Sequence, residues 1–140
     1  MKKIVFVCLG NICRSPMAEF VMKSLTDQLK IESRATSSWE HGNPIHRGTQ
    51  GIFKKYAISY DRNKTSQQIS TADFADFDYI IGMDESNVRD LKRMAPEDFQ
   101  HKIYQFEEES VPDPWYTGDF DQTYDLVLAG CKKWLERLDG

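Results

Sequence analysis

The sequence has only three cysteines, and no two of them stand in a Cys-x-x-Cys pair. That excludes a disulfide framework and the usual spacing of a structural zinc site, and it fits a reducing compartment. Its three histidines, His41, His46 and His101, are scattered, and none stands at a ligand-like spacing from a cysteine. No metal is expected. Long apolar runs are missing too: the longest near the start is Ile4 to Leu9, six residues against the roughly 20 that span a bilayer. The basic Met1-Lys2-Lys3 start followed by that run imitates an export signal, but the apolar stretch is too short and Gly10-Asn11 follows at once. A soluble, cytoplasmic protein without membrane insertion is expected. Excess positive charge is also absent, the formal net charge being -4, which argues against a nucleic-acid partner. No repeat or low-complexity segment interrupts the 140 residues, a length that suits one domain, 1–140.

What is present is an alternation of strand and helix patterns. Lys2 to Val7 is a run rich in β-branched residues, as in a strand covered on both faces. Ser15 is a candidate helix cap before Pro16, with Ala18, Val21, Met22, Leu25 and Leu29 at helical spacing. Ser33 to Trp39 reads as a weaker strand, and Asn43-Pro44 as a turn into a helix over 45–57 carrying Ile52, Phe53 and Tyr56. A polar loop over 59–68 precedes a short helix starting near Ser70 or Thr71. Tyr79 to Met83 is a buried strand, Asp84 or Ser86 caps a helix through Met94, and Lys102 to Phe106 is a last strand. Glu107 to Gly118 reads as an acidic, aromatic loop, and Phe120 to Leu138 as an amphipathic helix. The fold class is therefore α/β with a parallel sheet, whose ligands bind beyond the carboxyl ends of the strands. The loop after the first strand lies there.

That loop, Cys8-Leu9-Gly10-Asn11-Ile12-Cys13-Arg14-Ser15, sets a thiol and a guanidinium six positions apart and opens into a helix. Inward backbone amides and a helix start suit an anion and stabilise a thiolate, and the guanidinium fork can hold two phosphoryl oxygens. Gly10 permits close backbone approach and Asn11 tolerates a left-handed conformation. Ser15 can donate its hydroxyl to the thiolate.

Val7-Cys8-x-Gly10-Asn11-x-Cys13-Arg14-Ser15-Pro16 resembles the signature of low-molecular-weight protein tyrosine phosphatases. Asp78-Tyr79-Ile80-Ile81 leading into Met83-Asp84-Glu85-Ser86-Asn87, and Asp113-Pro114-Trp115-Tyr116, extend the resemblance along the chain. It implies a three-layer sandwich around a four-stranded parallel sheet, a cysteinyl-phosphate intermediate and no cofactor. It implies Cys8 as nucleophile, Arg14 as phosphate clamp and Asp113 as general acid, with Trp39, Trp115 and Tyr116 as pocket walls. Asp84 is either a plain helix cap or a support of the phosphate loop. Cys13 is either a buried thiol or a redox partner of Cys8, whereas Cys131, on an apolar helix face, reads as core. The implied partner is a phosphotyrosine-containing protein, a bacterial tyrosine kinase among the candidates.

The chain departs from the family at Lys64 to Ile69, where many relatives carry a histidine that braces the phosphate loop and an arginine. Ser33 and Ser66 are candidates for that bracing. Trp115 also stands where many relatives have the first of two tyrosines, which leaves Tyr116 as the residue for any regulatory phosphorylation. Three rival functions follow from the same loop. Arsenate reduction needs two further cysteines that 82–94 lacks. Phosphoarginine hydrolysis goes with threonine where this chain has Ile12. A phosphopeptide-binding module would need neither thiolate nor proton donor.

Overall fold

A strand can be apolar on both sides only if both its faces are covered, and β1 (Lys2–Cys8) shows this: Ile4, Val5, Phe6 and Val7 are fully buried. A computed structural model describes residues 1–139. β1 pairs in parallel with β2 (Leu29–Ala35) and with β3 (Tyr79–Gly82), which in turn pairs with β4 (Ile103–Gln105), in the order β2-β1-β3-β4. Ile4, Phe6 and Cys8 face a core built with α1 (Arg14–Leu25), α2 (Arg47–Lys55) and α6 (Phe120–Asp139). Val5 and Val7 face a second core containing Phe74 of α3 (Thr71–Asp76) and Leu91 of α4 (Glu85–Met94). The result is the three-layer arrangement with helices on both faces. Burying a side chain such as Phe6 stabilises the fold by about 1.5–3 kcal/mol, so the buried residues of β1 hold the strand that delivers the loop.

Several local boundaries differ from expectation. α1 begins at Arg14, capped by the backbone of Cys13 without a side-chain hydrogen bond, so Ser15 is not its cap. The Ser15 hydroxyl is engaged elsewhere, beside Cys8 Sγ at 3.0 Å. The helix also ends at Leu25, and Leu29 opens β2 rather than closing a helical face. β2 therefore runs four residues earlier than the strand expected over 33–39. Its reason is positional: β2 is an edge strand, so Lys30, Glu32 and Arg34 interrupt its apolar pattern while its backbone still pairs Lys2 with Leu29 through Cys8 with Ala35. Trp39 lies beyond the strand, in a turn.

α2 is shorter than expected at both ends, and its cap is His46, whose ring nitrogen accepts from Gly48 N–H at 2.9 Å. Ser70 caps α3 in a reciprocal box with Asp73. Asp84 caps α4, accepting from Asn87 N–H at 2.7 Å. A 3-10 turn, Glu97–Lys102, leads into β4. The segment expected as a plain loop before Gly118 contains a short helix, α5 (Pro114–Thr117), capped by Asp113. Among the described residues no helix is long and apolar enough to cross a membrane.

Candidate active site

The loop between β1 and α1 is shaped by how its carbonyls are held. Thr36 N–H donates to Cys8 O at 2.9 Å, Ser37 Oγ to Leu9 O at 2.8 Å, and Ser66 Oγ to Gly10 O at 2.7 Å. His46 N–H donates to Ile12 O at 2.8 Å and Thr49 Oγ1 to Cys13 O at 3.2 Å. With these carbonyls tied to the surrounding segments, the loop amides are free to converge on its inside, which is the construction of an anion nest. Asn11 N–H does so, lying 3.2 Å from Cys8 Sγ. Asn11 itself has φ 55°, a left-handed conformation that asparagine tolerates better than most residues. At Gly10 the space is needed for a side chain rather than for backbone freedom: an added Cβ would lie 3.3 Å from Glu40 Cγ.

Under the loop runs a buried polar relay. Asn11 Nδ2 donates to Ser15 Oγ at 2.8 Å and to Ser33 Oγ at 3.0 Å, while its Oδ1 accepts from Gln67 N–H at 3.1 Å. Ser33 Oγ donates onward to the buried Glu19 carboxylate at 2.6 Å. Lys23 Nζ lies 2.7 Å from Glu19 Oε2, and Lys64 Nζ lies 3.7 Å from Oε1 and donates to Ser33 O at 2.8 Å. Lys64, in the segment where many relatives carry a histidine, thus sits beside the relay. Burial holds its pKa below the ordinary lysine value, with Glu19 pulling the other way.

Arg14 is almost wholly buried and has three acceptors within reach. Nη1 donates to Asp84 Oδ2 at 2.6 Å and to Val111 O at 2.9 Å, and Nη2 lies 3.4 Å from Asp113 Oδ2. Burial opposes its charge, but Cys8, Asp84 and Asp113 together outweigh that and raise its pKa. Asp84 serves both expectations at once, one oxygen capping α4 and the other holding Arg14. Asp113 Oδ1 accepts from Trp115 N–H at 3.0 Å, so α5 sets the orientation of that carboxyl.

Cys8, Leu9, Gly10, Ile12, Cys13, Arg14, Trp39, Glu40, Asp113, Trp115 and Tyr116 line one cavity of about 140 Å³. Trp39, Trp115 and Tyr116 are 77%, 55% and 77% exposed, so these rings stand at the mouth instead of in the core. Cys13 is buried, and desolvation first, then the charge of Cys8, pushes its thiol pKa far up. Cys131 lies in the core against α1, as its helical face implied. Among the described residues no group of three His, Cys, Asp or Glu side chains could hold a metal ion.

Sequence reasoning did not single out Glu40, Ser37, His46, Thr49, Val111, Glu19 or Lys64. Most lie in polar stretches without periodicity and reach the loop only through the packing of α2 and β2. Lys64 did carry a signal, as the first residue of the segment that departs from the family.

A family model described as low molecular weight phosphotyrosine protein phosphatase matches residues 3–140. The low molecular weight protein-tyrosine-phosphatase PtpA of Staphylococcus aureus is 45% identical, the match covering 94% of this chain and 90% of that one. Among solved structures, the low molecular weight protein tyrosine phosphatase SP-PTP of Streptococcus pyogenes superposes with a TM-score of 0.97 at 64% identity, covering 99% of this chain and 93% of that one. A Drosophila arginine phosphatase superposes with a TM-score of 0.89 at 32% identity, over 100% of this chain and 99% of that one.

Proposed function

The chain belongs to the low molecular weight phosphotyrosine protein phosphatase family, and from that premise we propose that it hydrolyses phosphotyrosine through Cys8, Arg14 and Asp113. One observation carries the assignment: a thiol, a buried guanidinium and a carboxyl line a single small cavity whose mouth is built of three exposed aromatic rings.

Cys8 thiolate attacks phosphorus as the bond to the tyrosyl oxygen breaks, and Asp113 delivers a proton to that oxygen. A phenol of pKa about 10 leaves more readily when protonated in flight. The Asp113 carboxylate then takes a proton from water, whose oxygen attacks phosphorus, the S–P bond breaks, and inorganic phosphate is released. Arg14 and the loop amides hold the equatorial oxygens throughout, where negative charge is spread in the transition state. Asp84 and the Val111 carbonyl keep Arg14 in place. Ser15 supports the thiolate from 3.0 Å, and Ser33 and Ser66 support the loop through Asn11 and Gly10. Leu9, Ile12 and Cys13 complete the cradle. All of these groups hang from one sheet, which is consistent with a single domain; a cytoplasmic location and a tyrosine kinase as protein substrate belong to the same reading.

Phosphoarginine hydrolysis is the second reading, favoured by the likeness to the Drosophila arginine phosphatase. The apolar Ile12 in the cavity wall suits an aryl ring better than a polar guanidinium. The test is an assay with metal chelator present against aryl, alkyl and arginine phosphates, repeated with Cys8→Ser. Aryl phosphates should turn over best, and Cys8→Ser should abolish turnover while still binding oxyanions. Preference for phosphoarginine, or substantial residual turnover in Cys8→Ser, would overturn the respective assignment.

A further inference from the structure

His46 touches both loops of the site, one through its backbone and the other through its ring. Its N–H donates to the Ile12 carbonyl of the phosphate loop at 2.8 Å. Its imidazole meets the Trp115 ring edge-on, with centroids 5.5 Å apart, and stacks on Phe120 at 5.2 Å. Trp115 in turn is the residue whose N–H holds Asp113 Oδ1 at 3.0 Å. The path from ring to proton donor is therefore short: imidazole, indole, backbone N–H, carboxylate.

Two further features keep that ring in place. Nδ1 accepts from Gly48 N–H at 2.9 Å, which caps α2 and requires the tautomer that carries its proton on Nε2. Gly48 has no side chain where one would collide: an added Cβ would lie 2.3 Å from the Phe120 ring. The stack of Phe120 on His46 therefore depends on a glycine two residues away, and Thr49 of the same turn anchors Cys13 O. The start of α2 is built as a junction between the nucleophile's loop, the acid's helix and the start of α6.

We propose that His46 is a positioning residue that couples the acid loop to the phosphate loop, its ring fixing α5 and thereby the aim of Asp113 at the leaving oxygen. The proposal rests on the reading of Asp113 as general acid. Substrate never needs to touch the imidazole. The contribution of His46 scales with how much the leaving group depends on protonation, which a purely structural role would not produce.

The experiment times phenol release in single turnovers, with enzyme in excess, over aryl phosphates of graded phenol pKa in wild type, His46→Asn and His46→Phe. Asparagine keeps a side-chain oxygen to cap α2 but removes the ring. Phenylalanine keeps the ring contacts and removes the cap. His46→Asn should slow transfer from poor leaving groups about tenfold, a part of the 10²- to 10⁴-fold general acid effect, and leave acidic phenols nearly unchanged. His46→Phe should keep the wild-type dependence on phenol pKa, even if its thermal midpoint falls. A wild-type slope in His46→Asn would overturn the proposal, and so would equal losses in the two variants. Absence of phenol release from any aryl phosphate by the wild type would instead remove the phosphatase reading on which it rests.

Discussion

Arg14 Nη2 and Asp113 Oδ2 lie 3.4 Å apart, so the residue assigned to hold the phosphate and the one assigned to protonate the leaving group face each other across the cavity. Asp84 holds the other guanidinium nitrogen at 2.6 Å. Arg14 thus stands between two carboxylates, Asp84, which also caps α4, and Asp113, which also caps α5.

Asp113→Asn should slow phosphotyrosine hydrolysis by about 10²- to 10⁴-fold, the usual contribution of general acid catalysis. Asparagine can still accept from Trp115 N–H, so α5 keeps its cap and the lost function is the proton. The dependence of the burst rate on leaving-group pKa should steepen. Parallel lines for mutant and wild type would move the acid role to another carboxylate.

Asp84→Asn separates the cap from the charge, because asparagine also caps helices well. α4 should remain folded while Arg14 loses its nearest counter-charge. Stability should fall by about 1–3 kcal/mol in urea denaturation, the range for a buried donor that loses its acceptor. Arg14→Lys should lose activity severely, since one ammonium cannot reproduce the planar fork. Near-normal phosphotyrosine turnover in Arg14→Lys would remove the guanidinium from the mechanism.

Lys64→Met leaves the buried Glu19 with Lys23 as its cation and Ser33 Oγ as its hydroxyl donor, and removes one of the two side-chain donors to Ser33 O. A loss of about 1 kcal/mol is expected, the net worth of one hydrogen bond whose acceptor keeps another donor. The double variant Lys64→Met with Glu19→Gln should recover part of it, giving a coupling energy in a double-mutant cycle. Strictly additive losses would mean that Lys64 and Glu19 do not act as a pair.

Cys13 bears on the redox question through its acidity. Its thiol is pushed up first by burial and then by negative charge at Cys8, so it is a weak nucleophile. Oxidation of Cys8 to a neutral sulfenic acid removes only the second of these causes, and attack of Cys13 on the sulfenic sulfur, which expels water as the disulfide forms, stays slowed by burial. Mild peroxide followed by peptide mapping should find a Cys8–Cys13 linkage that forms faster as pH rises, and dithiothreitol should restore activity. A map without that linkage would leave Cys13 as a packed thiol.

Trp39 is 77% exposed, so Trp39→Ala should change stability by no more than about 0.5 kcal/mol. Its effect belongs on KM for phosphotyrosine peptides, with kcat little changed. A fall in kcat at constant KM would show that the ring acts on the chemistry instead of on binding.

The family signature of Cys8 to Pro16 was determined by the sequence itself, because the thiol, the cation, the flexible backbone positions and the helix start are contiguous. Burial of β1 was equally local, written in an unbroken apolar run that only a doubly covered strand tolerates. The edge strand β2 was not, since alternating charges hid a backbone whose pairing with β1 defines it, and helical spacing through Leu29 pointed the other way. The acid loop was legible as Asp113-Pro114, but its helical turn over Pro114–Thr117, capped by Asp113, was not. What tertiary structure alone decided is convergence. Asp113 and Trp39 reach the cavity, and Asp84 reaches the Arg14 guanidinium in its wall, because three different strand ends deliver their loops to the same edge of the sheet. Glu19, Lys64 and His46 lie beside the phosphate loop because tertiary packing carries them to its outer side, and no spacing along the chain encodes a contact made across it.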